Sequence, residues 1–266
     1  MKTFYTQQEK ELRNDLVRLK KEDNIVAIKT GTEIEDMGKE EIRFFRRISE
    51  NILPLIVKIG GPEARQDIRV CLDLRVDCVL SPMIETVYAL RNFLESILEI
   101  AEEKNAALPK IAMNLESITA YSNLDAMIDS TAFKHLYQVT IGRGDFSKSV
   151  HLTVDDDELT ALTANALRKL KRSGIVTSVG GGLKLETIAK TSSKLPTDRF
   201  NSRHMVLERN KSFQKNPVKY LFNALLFEKK LYEKMALIFP ERKVFYYKRI
   251  NVINNRLGPI QAVSSL

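Results

Sequence analysis

The sequence predicts a TIM-type (β/α)8 barrel, with its first or last strand open to irregularity and a long C-terminal helix added. Three observations lead there. Between residues 24 and 207, short apolar runs alternate with longer amphipathic stretches, the rhythm of parallel βα units. Two of those runs lead into a carboxylate, Glu116 and Asp145, at the strand ends where a barrel carries its working residues. A chain of 266 residues is long for a sandwich and ordinary for one such barrel.

The elements follow in order. Residues 6–22 are polar and helix-favouring, with Leu12, Leu16 and Leu19 on one stripe that can cover the bottom of a barrel. Strands are expected at 24–32, 54–60 and 76–81, and helices at 38–51, from near Pro62, and at 87–104. The two strands that lead into carboxylates come next, with a short helix at 122–128 between them. A helix at 155–172, a strand at 175–179, a helix at 185–194 and a strand at 199–207 complete seven strands. The eighth is not obvious. Lys243 to Tyr247 could supply it, or the first strand could be lost. From Pro217, at a plausible first helical position, Val218, Leu221, Phe222, Leu225, Tyr232, Met235 and Phe239 recur at helical spacing, with Leu226 and Leu237 widening the stripe. The whole chain reads as one barrel domain, with 208–266 as a basic helical extension packed on the barrel or on a neighbouring subunit.

In the strand before Glu116, Ile111, Met113 and Leu115 share one face, while Ala112, Asn114 and Glu116 share the other. Paired parallel strands lie about 4.8 Å apart, so pairing would bring Glu116 and Asp145 together. Two oxygen ligands with room for water suit Mg2+ or Mn2+. The competing reading pairs Glu116 with a nearby Lys or Arg and makes Asp145 an ordinary helix cap.

Residues 114–127, NLESITAYSNLDAM, and 141–149, IGRGDFSKS, resemble the HpcH/HpaI aldolase and citrate lyase family of the pyruvate/phosphoenolpyruvate barrel superfamily. The likeness extends more weakly over 25–207, and Phe146 stands where the family usually has Leu. It implies that Glu116 and Asp145 hold a divalent metal. It implies that Lys58, standing where the family often has an arginine, binds the substrate carboxylate as a point charge. A structural ion pair of Lys58 with Glu33, Glu35 or Glu116 is the alternative. Pro82, Met83 and Glu85 look like the family's exit loop, which shapes the pocket. The family uses an acidic residue and a histidine near Glu33 and Glu35 for proton transfer. The histidines here are His135, His151 and His204, none at that position, so Glu33, Glu35 or a water on the metal must serve. Family members often lay their last helix on a neighbour, which implies a homo-oligomer.

Asn114, Gly144, Arg143 and Arg203 are further candidates for substrate contact. An outward salt bridge is the alternative for Arg203. Gly181, in Gly180-Gly181-Gly182, could offer backbone amides to a phosphate, although a tight turn is the commoner reason for such a run.

The expected function is a metal-dependent carbon–carbon lyase or aldolase acting on a pyruvate-like 2-oxo acid. The alternatives are an enzyme of phosphoenolpyruvate or another phosphorylated acid, and an inactive barrel that binds a ligand. Cys71 and Cys78 are too few and wrongly spaced for a zinc site and read as free thiols of a reducing cytoplasm. No 18-residue apolar run and no leader-like start argue for a membrane or for export. Of the net charge of +8, residues 199–256 hold 14 Lys and Arg against 4 Asp and Glu. With no nucleic-acid motif, this block reads as a solvated helical face or as a field for an anionic substrate.

Overall fold

The structure, a computed structural model, describes residues 4–258. The elements run α1 (Gln7–Glu22), β1 (Ile25–Gly31), α2 (Lys39–Ser49), β2 (Leu55–Lys58), α3 (Arg65–Asp73), β3 (Cys78–Ser81), α4 (Val87–Glu103), β4 (Lys110–Leu115), α5 (Ile118–Ser122), α6 (Leu124–Asp129), β5 (Gln138–Gly142) and α7 (Arg143–Ser149). They continue with α8 (Asp157–Arg172), β6 (Val176–Gly180), α9 (Ile188–Lys194), β7 (Arg199–Asn201), β8 (Met205–Glu208), α10 (Lys211–Lys215), α11 (Pro217–Ile238) and α12 (Lys243–Leu257).

Local chemistry sets these boundaries. Thr6 and Glu9 form a reciprocal capping box that starts α1, whose Leu12, Leu16 and Leu19 are buried. Thr86 and Ser117 cap α4 and α5 through their hydroxyls. Every residue of β2 and β3 is buried, as parallel strands covered on both faces require. The eight strands close a barrel in sequence order. Most apolar side chains pack outward between strands and helices. A small inner cluster of Ala27, Ile56, Cys78, Leu80, Ala112 and Val206 fills the lumen. Both cysteines are buried and unbridged, and burial pushes the Cys78 thiol up to about 12.

The eighth strand differs from expectation. Residues 199–207 are two strands, β7 and β8, and β8 runs antiparallel to both β7 and β1. The reason is visible in the residues. Asn201, Ser202, Arg203 and His204 form a polar tetrad between apolar Phe200 and Met205, and Asn and Ser favour turns. The Ser202 amide bonds the Met205 carbonyl at 3.0 Å and closes the turn. Lys243 to Tyr247 is helical, in α12, and takes no part in the barrel. The helix expected at 122–128 is α6, and a further short helix, α5, precedes it.

α11 packs on the same chain's α1, α9 and β8, with α12 alongside it. Leu221, Leu225, Tyr232 and Met235 are buried, while Phe222 and Phe239 are half-buried. Leu226 and Leu237 are exposed, so they do not widen the buried stripe. Part of the basic block is matched on the barrel itself: Lys230 meets Asp15 at 2.7 Å, and Lys234 meets Glu11 at 2.6 Å. No described helix is long and apolar enough to cross a membrane.

Candidate active site

Leu115 and Ile141 are partners across β4 and β5, which sets Glu116 beside Gly142 at the carboxyl end of the barrel. A Cβ on Gly142 would lie 2.9 Å from Glu116 Oε2. Glycine is what lets this carboxylate lie over the start of α7, whose first turn carries Asp145. Glu116 is buried and gripped from three sides. Asn114 Nδ2 donates to Oε2 at 2.8 Å, the Met83 amide donates to Oε1 at 3.1 Å, and Lys58 Nζ lies 3.5 Å from Oε2. Met83 adopts φ +52°, a left-handed conformation uncommon for a residue with a side chain. The exit loop thereby aims a backbone donor at Glu116, while the Met83 side chain stays exposed. Glu85 accepts from the Ser117 hydroxyl, and its carbonyl accepts from Asn123, so it anchors the loop to α5.

Lys58 is 6% exposed and pairs with Glu33 at 2.5 Å as well as with Glu116. The Glu33 contact is an ion pair without an aligned hydrogen bond. Burial pushes Lys58 down, but Glu116, then Glu33 and Glu35, outweigh it and hold the ammonium above the usual lysine range. The structural ion pair of Lys58 is therefore present, and it keeps the ammonium charged. Glu35 is buried and pairs with Arg203 at 3.1 Å. Burial pushes its carboxyl up, but Lys29, Arg203 and His204 together keep it below the usual carboxylate range. Arg203 thus points to the barrel's carboxyl end from the tip of the β7–β8 turn.

Three inward residues escaped the sequence reading. Ala27 belongs to the inner cluster, so strand alternation turns Lys29 and Gly31 inward as well. Lys29 is half-buried and makes no ion pair or side-chain hydrogen bond with any described residue. Burial pushes its ammonium below the usual lysine range; Glu35 resists, and Lys58 and Arg203 add to the push. The signal was available: Lys29 interrupts Ile-Val-Ala-Ile-Lys-Thr-Gly as Lys58 interrupts Leu-Ile-Val-Lys-Ile-Gly. Asn201 and Ser178 share a hydrogen bond of 2.9 Å and are buried on neighbouring strands. Ordinary polar residues near strand ends carry no comparable signal.

Arg143 does not face the candidate site as a free cation. It is buried, and its guanidinium donates to the Val154 carbonyl, bracing the loop after α7. The glycine run also has a packing role. Gly181 has φ +84°, and a Cβ there would lie 2.5 Å from the Gly144 amide nitrogen. A Cβ on Gly182 would lie 2.4 Å from Val154 Cγ1. These glycines let the β6–α9 connection press against α7 and the loop after it, while a Cβ on Gly144 would meet only ordinary contact, 4.0 Å from the Gly181 Cα. A surface crevice of about 690 Å³ lies at the opposite end of the barrel, around Asp73, Asp77, Lys104 and Lys110, and none of the candidate residues lines it.

No group of three His, Cys, Asp or Glu side chains suited to a metal occurs among the described residues. A hard divalent ion that keeps most of its waters needs only one or two carboxylates. Glu116 and Asp145 follow adjacent strands at the same end, and the Oδ1 of Asn114, which bonds Glu116, is a buried acceptor with no donor. Asp145 is held at 2.9 Å by Lys148, whose side chain is 79% exposed, and such surface pairs are worth about 0–1 kcal/mol. Hard oxygen donors of this kind are the ones such an ion takes.

No family model matches the sequence, and no curated protein matches it. The structure is similar to a solved HpcH/HpaI aldolase/citrate lyase family protein from Burkholderia cenocepacia J2315, at a TM-score of 0.56 and 12% identity, covering 71% of this chain and 82% of that one. An HpcH/HpaI aldolase from Desulfitobacterium hafniense DCB-2 gives 0.53 and 14%, covering 69% and 79%. The citrate synthase SbnG gives 0.53 and 14%, covering 78% and 86%. At these identities the likeness is one of fold, a closed eight-stranded TIM-type barrel.

Proposed function

We propose that this barrel is a carbon–carbon lyase or aldolase acting on a pyruvate-like 2-oxo acid, with Mg2+ or Mn2+ held by Glu116 and Asp145. The fold shared with aldolase and lyase structures supports the reaction class. The observation that carries the reading is the grip on Glu116: a buried carboxylate fixed by Asn114, the strained Met83 amide and Lys58, over a glycine that admits it. When bound, the cation supplies Lewis-acid polarisation of the keto oxygen. Lys58 binds the substrate carboxylate as a permanent ammonium, oriented by Glu33. Arg203, held by Glu35, adds positive charge at the rim. Met83 and Glu85 shape the exit loop around the substrate. A phosphorylated acid is not favoured, because the glycines that suggested it are accounted for by packing on α7.

Proton exchange at C3 of pyruvate in D2O, followed by NMR, tests this without knowledge of the second substrate. Exchange should require Mg2+ or Mn2+ and stop with chelator. Glu116→Gln and Asp145→Asn should each weaken Mn2+ binding and slow exchange by about 100-fold or more, since comparable electrostatic contacts are worth ~3–4 kcal/mol. Exchange indifferent to chelator, or unchanged in both variants, would sink the assignment.

A further inference from the structure

Enolate formation needs a group that takes a proton from C3, and the residues above supply none. Glu33 is engaged by Lys58. Glu35 is engaged by Arg203 and kept in its weakly basic ionised form. Lys58 is held protonated between two carboxylates. His204 belongs to the outer layer, packed on Phe45 and Tyr232. Its Nδ1 donates to the Lys29 carbonyl at 2.7 Å, and its Nε2 accepts from the Tyr232 hydroxyl at 2.6 Å. Both ring nitrogens are occupied away from the lumen.

Lys29 remains. Gly31 pairs with Lys58 across β1 and β2, so Lys29, two residues earlier, sits about 7 Å deeper on the same inward line. Its flexible four-carbon stem is half-buried on that inward line, in the field of Glu35, Lys58, Arg203 and Glu116. It is the one cation of this cluster without an ion pair among the described residues. We propose that Lys29 is the proton-transferring residue of this site, whose amine takes the C3 proton of the 2-oxo acid. This rests on the 2-oxo acid reading above. The C3–H bond breaks as the amine nitrogen takes the proton. Its electron pair forms the C2=C3 bond, and the C2=O π pair moves to oxygen. In the exchange reaction the ammonium returns a proton to C3. In the addition direction C3 bonds to the acceptor carbonyl, and the proton goes to the new alkoxide. The paired cations nearby have a complementary effect: Lys58 and Arg203 bind anion and also disfavour a third positive charge at Lys29.

Two measurements on the full-length protein test the assignment. Trace acylation with acetic anhydride over roughly pH 6 to 10, read by peptide mass spectrometry, reports the ionisation of each lysine without substrate. Lys29 should become reactive at lower pH than exposed lysines such as Lys10. C3 exchange should fall by about 100-fold or more in both Lys29→Met and Lys29→Arg, the usual range for a lost general base, while Mn2+ affinity and thermal melting show both variants intact. An anion-binding lysine would be replaced well by arginine. Exchange in Lys29→Arg within about tenfold of wild type, or Lys29 acylated only with the exposed lysines, overturns the assignment alone. Wild-type protein that exchanges no C3 proton overturns the functional reading beneath it.

Discussion

Glu228, in the middle of α11, accepts the backbone amide of His204 at 2.6 Å through the same Oε1 that takes the Arg203 amide and the Ser202 hydroxyl. One fully buried carboxylate therefore satisfies the turn that reverses the chain between β7 and β8. Its other oxygen lies 4.0 Å from Arg256 of α12. The C-terminal helices thus hold in place the turn that closes the barrel and presents Arg203. The antiparallel eighth strand depends on this contact, because a buried turn must find partners for its amides.

Removing that carboxylate should loosen closure. Glu228→Ala leaves the His204 and Arg203 amides and the Ser202 hydroxyl without this acceptor and removes the charge facing Arg256, at a cost of about 3–5 kcal/mol. In a chain of this size that is a drop in Tm of roughly 6–20 °C. Glu228→Gln keeps one acceptor oxygen and should lose about 1–2 kcal/mol. Calorimetric melts of the three proteins check the order. An alanine variant as stable as wild type would mean that the turn closes without α11.

The same contact predicts acid sensitivity in two steps. Burial holds the His204 ring below its usual pKa, and Glu228 and Glu35 offset this only in part. Folded His204 stays neutral where the unfolded histidine protonates, so stability should fall as pH drops below about 6.5. Burial pushes Glu228 up, but Arg256 and the donors of the turn outweigh it and hold the group low. Its stabilisation is complete above about 4.3, the unfolded value, and is lost as pH falls through the lower folded value. Urea unfolding from pH 8 to 4 should show the first decline, and His204→Phe should flatten it whatever its effect on absolute stability.

Close packing at α7 gives a sharper test of the glycine run. Alanine at Gly181 would press a methyl group onto the Gly144 backbone at φ +84°, and backbone cannot swing aside as a side chain can. A loss of about 2 kcal/mol or more is expected. Gly61, where an added Cβ meets nothing within 4 Å, serves as the control, and Gly61→Ala should lie within about 0.5 kcal/mol of wild type. A stable Gly181→Ala would return the run to consideration as a ligand cradle.

Much of this was legible in the residues. The apolar runs from Ile25 to Gly180 located six parallel strands, and the carboxylate ending one run placed Glu116 because parity alone turned it inward. The β7–β8 reversal was hidden because its deciding partner, Glu228, lies 24 positions beyond His204, and no local pattern encodes so distant a contact. Arg143 misled for a similar reason: a motif places the backbone, whereas the Val154 carbonyl that captures the side chain belongs to a later loop. Lys29 was readable by the logic applied to Lys58. The difference between them, two carboxylate partners against none, appears only in three dimensions.

That difference makes the two lysines opposite in stability. Lys58→Met strips the ammonium from Glu33 and from buried Glu116, leaving an anion that Asn114 and the Met83 amide only partly satisfy. The loss should be about 3 kcal/mol, and substrate KM should rise more than metal affinity falls. Lys29→Met removes a half-buried amine that has no partner among the described residues and whose charged form would sit beside two other cations. Its charged form is disfavoured in the fold, so the substitution should hold or raise Tm while exchange activity disappears. The pH dependence has a definite sign as well. The folded pKa of Lys29 lies below the unfolded value, so the unfolded chain binds more protons between the two, and wild-type stability should climb with pH across that window. Lys29→Met should lack the climb. Melts of both variants from neutral to alkaline pH separate the roles: a Lys29→Met protein less stable than Lys58→Met would show that Lys29 is a structural cation and not a poised amine.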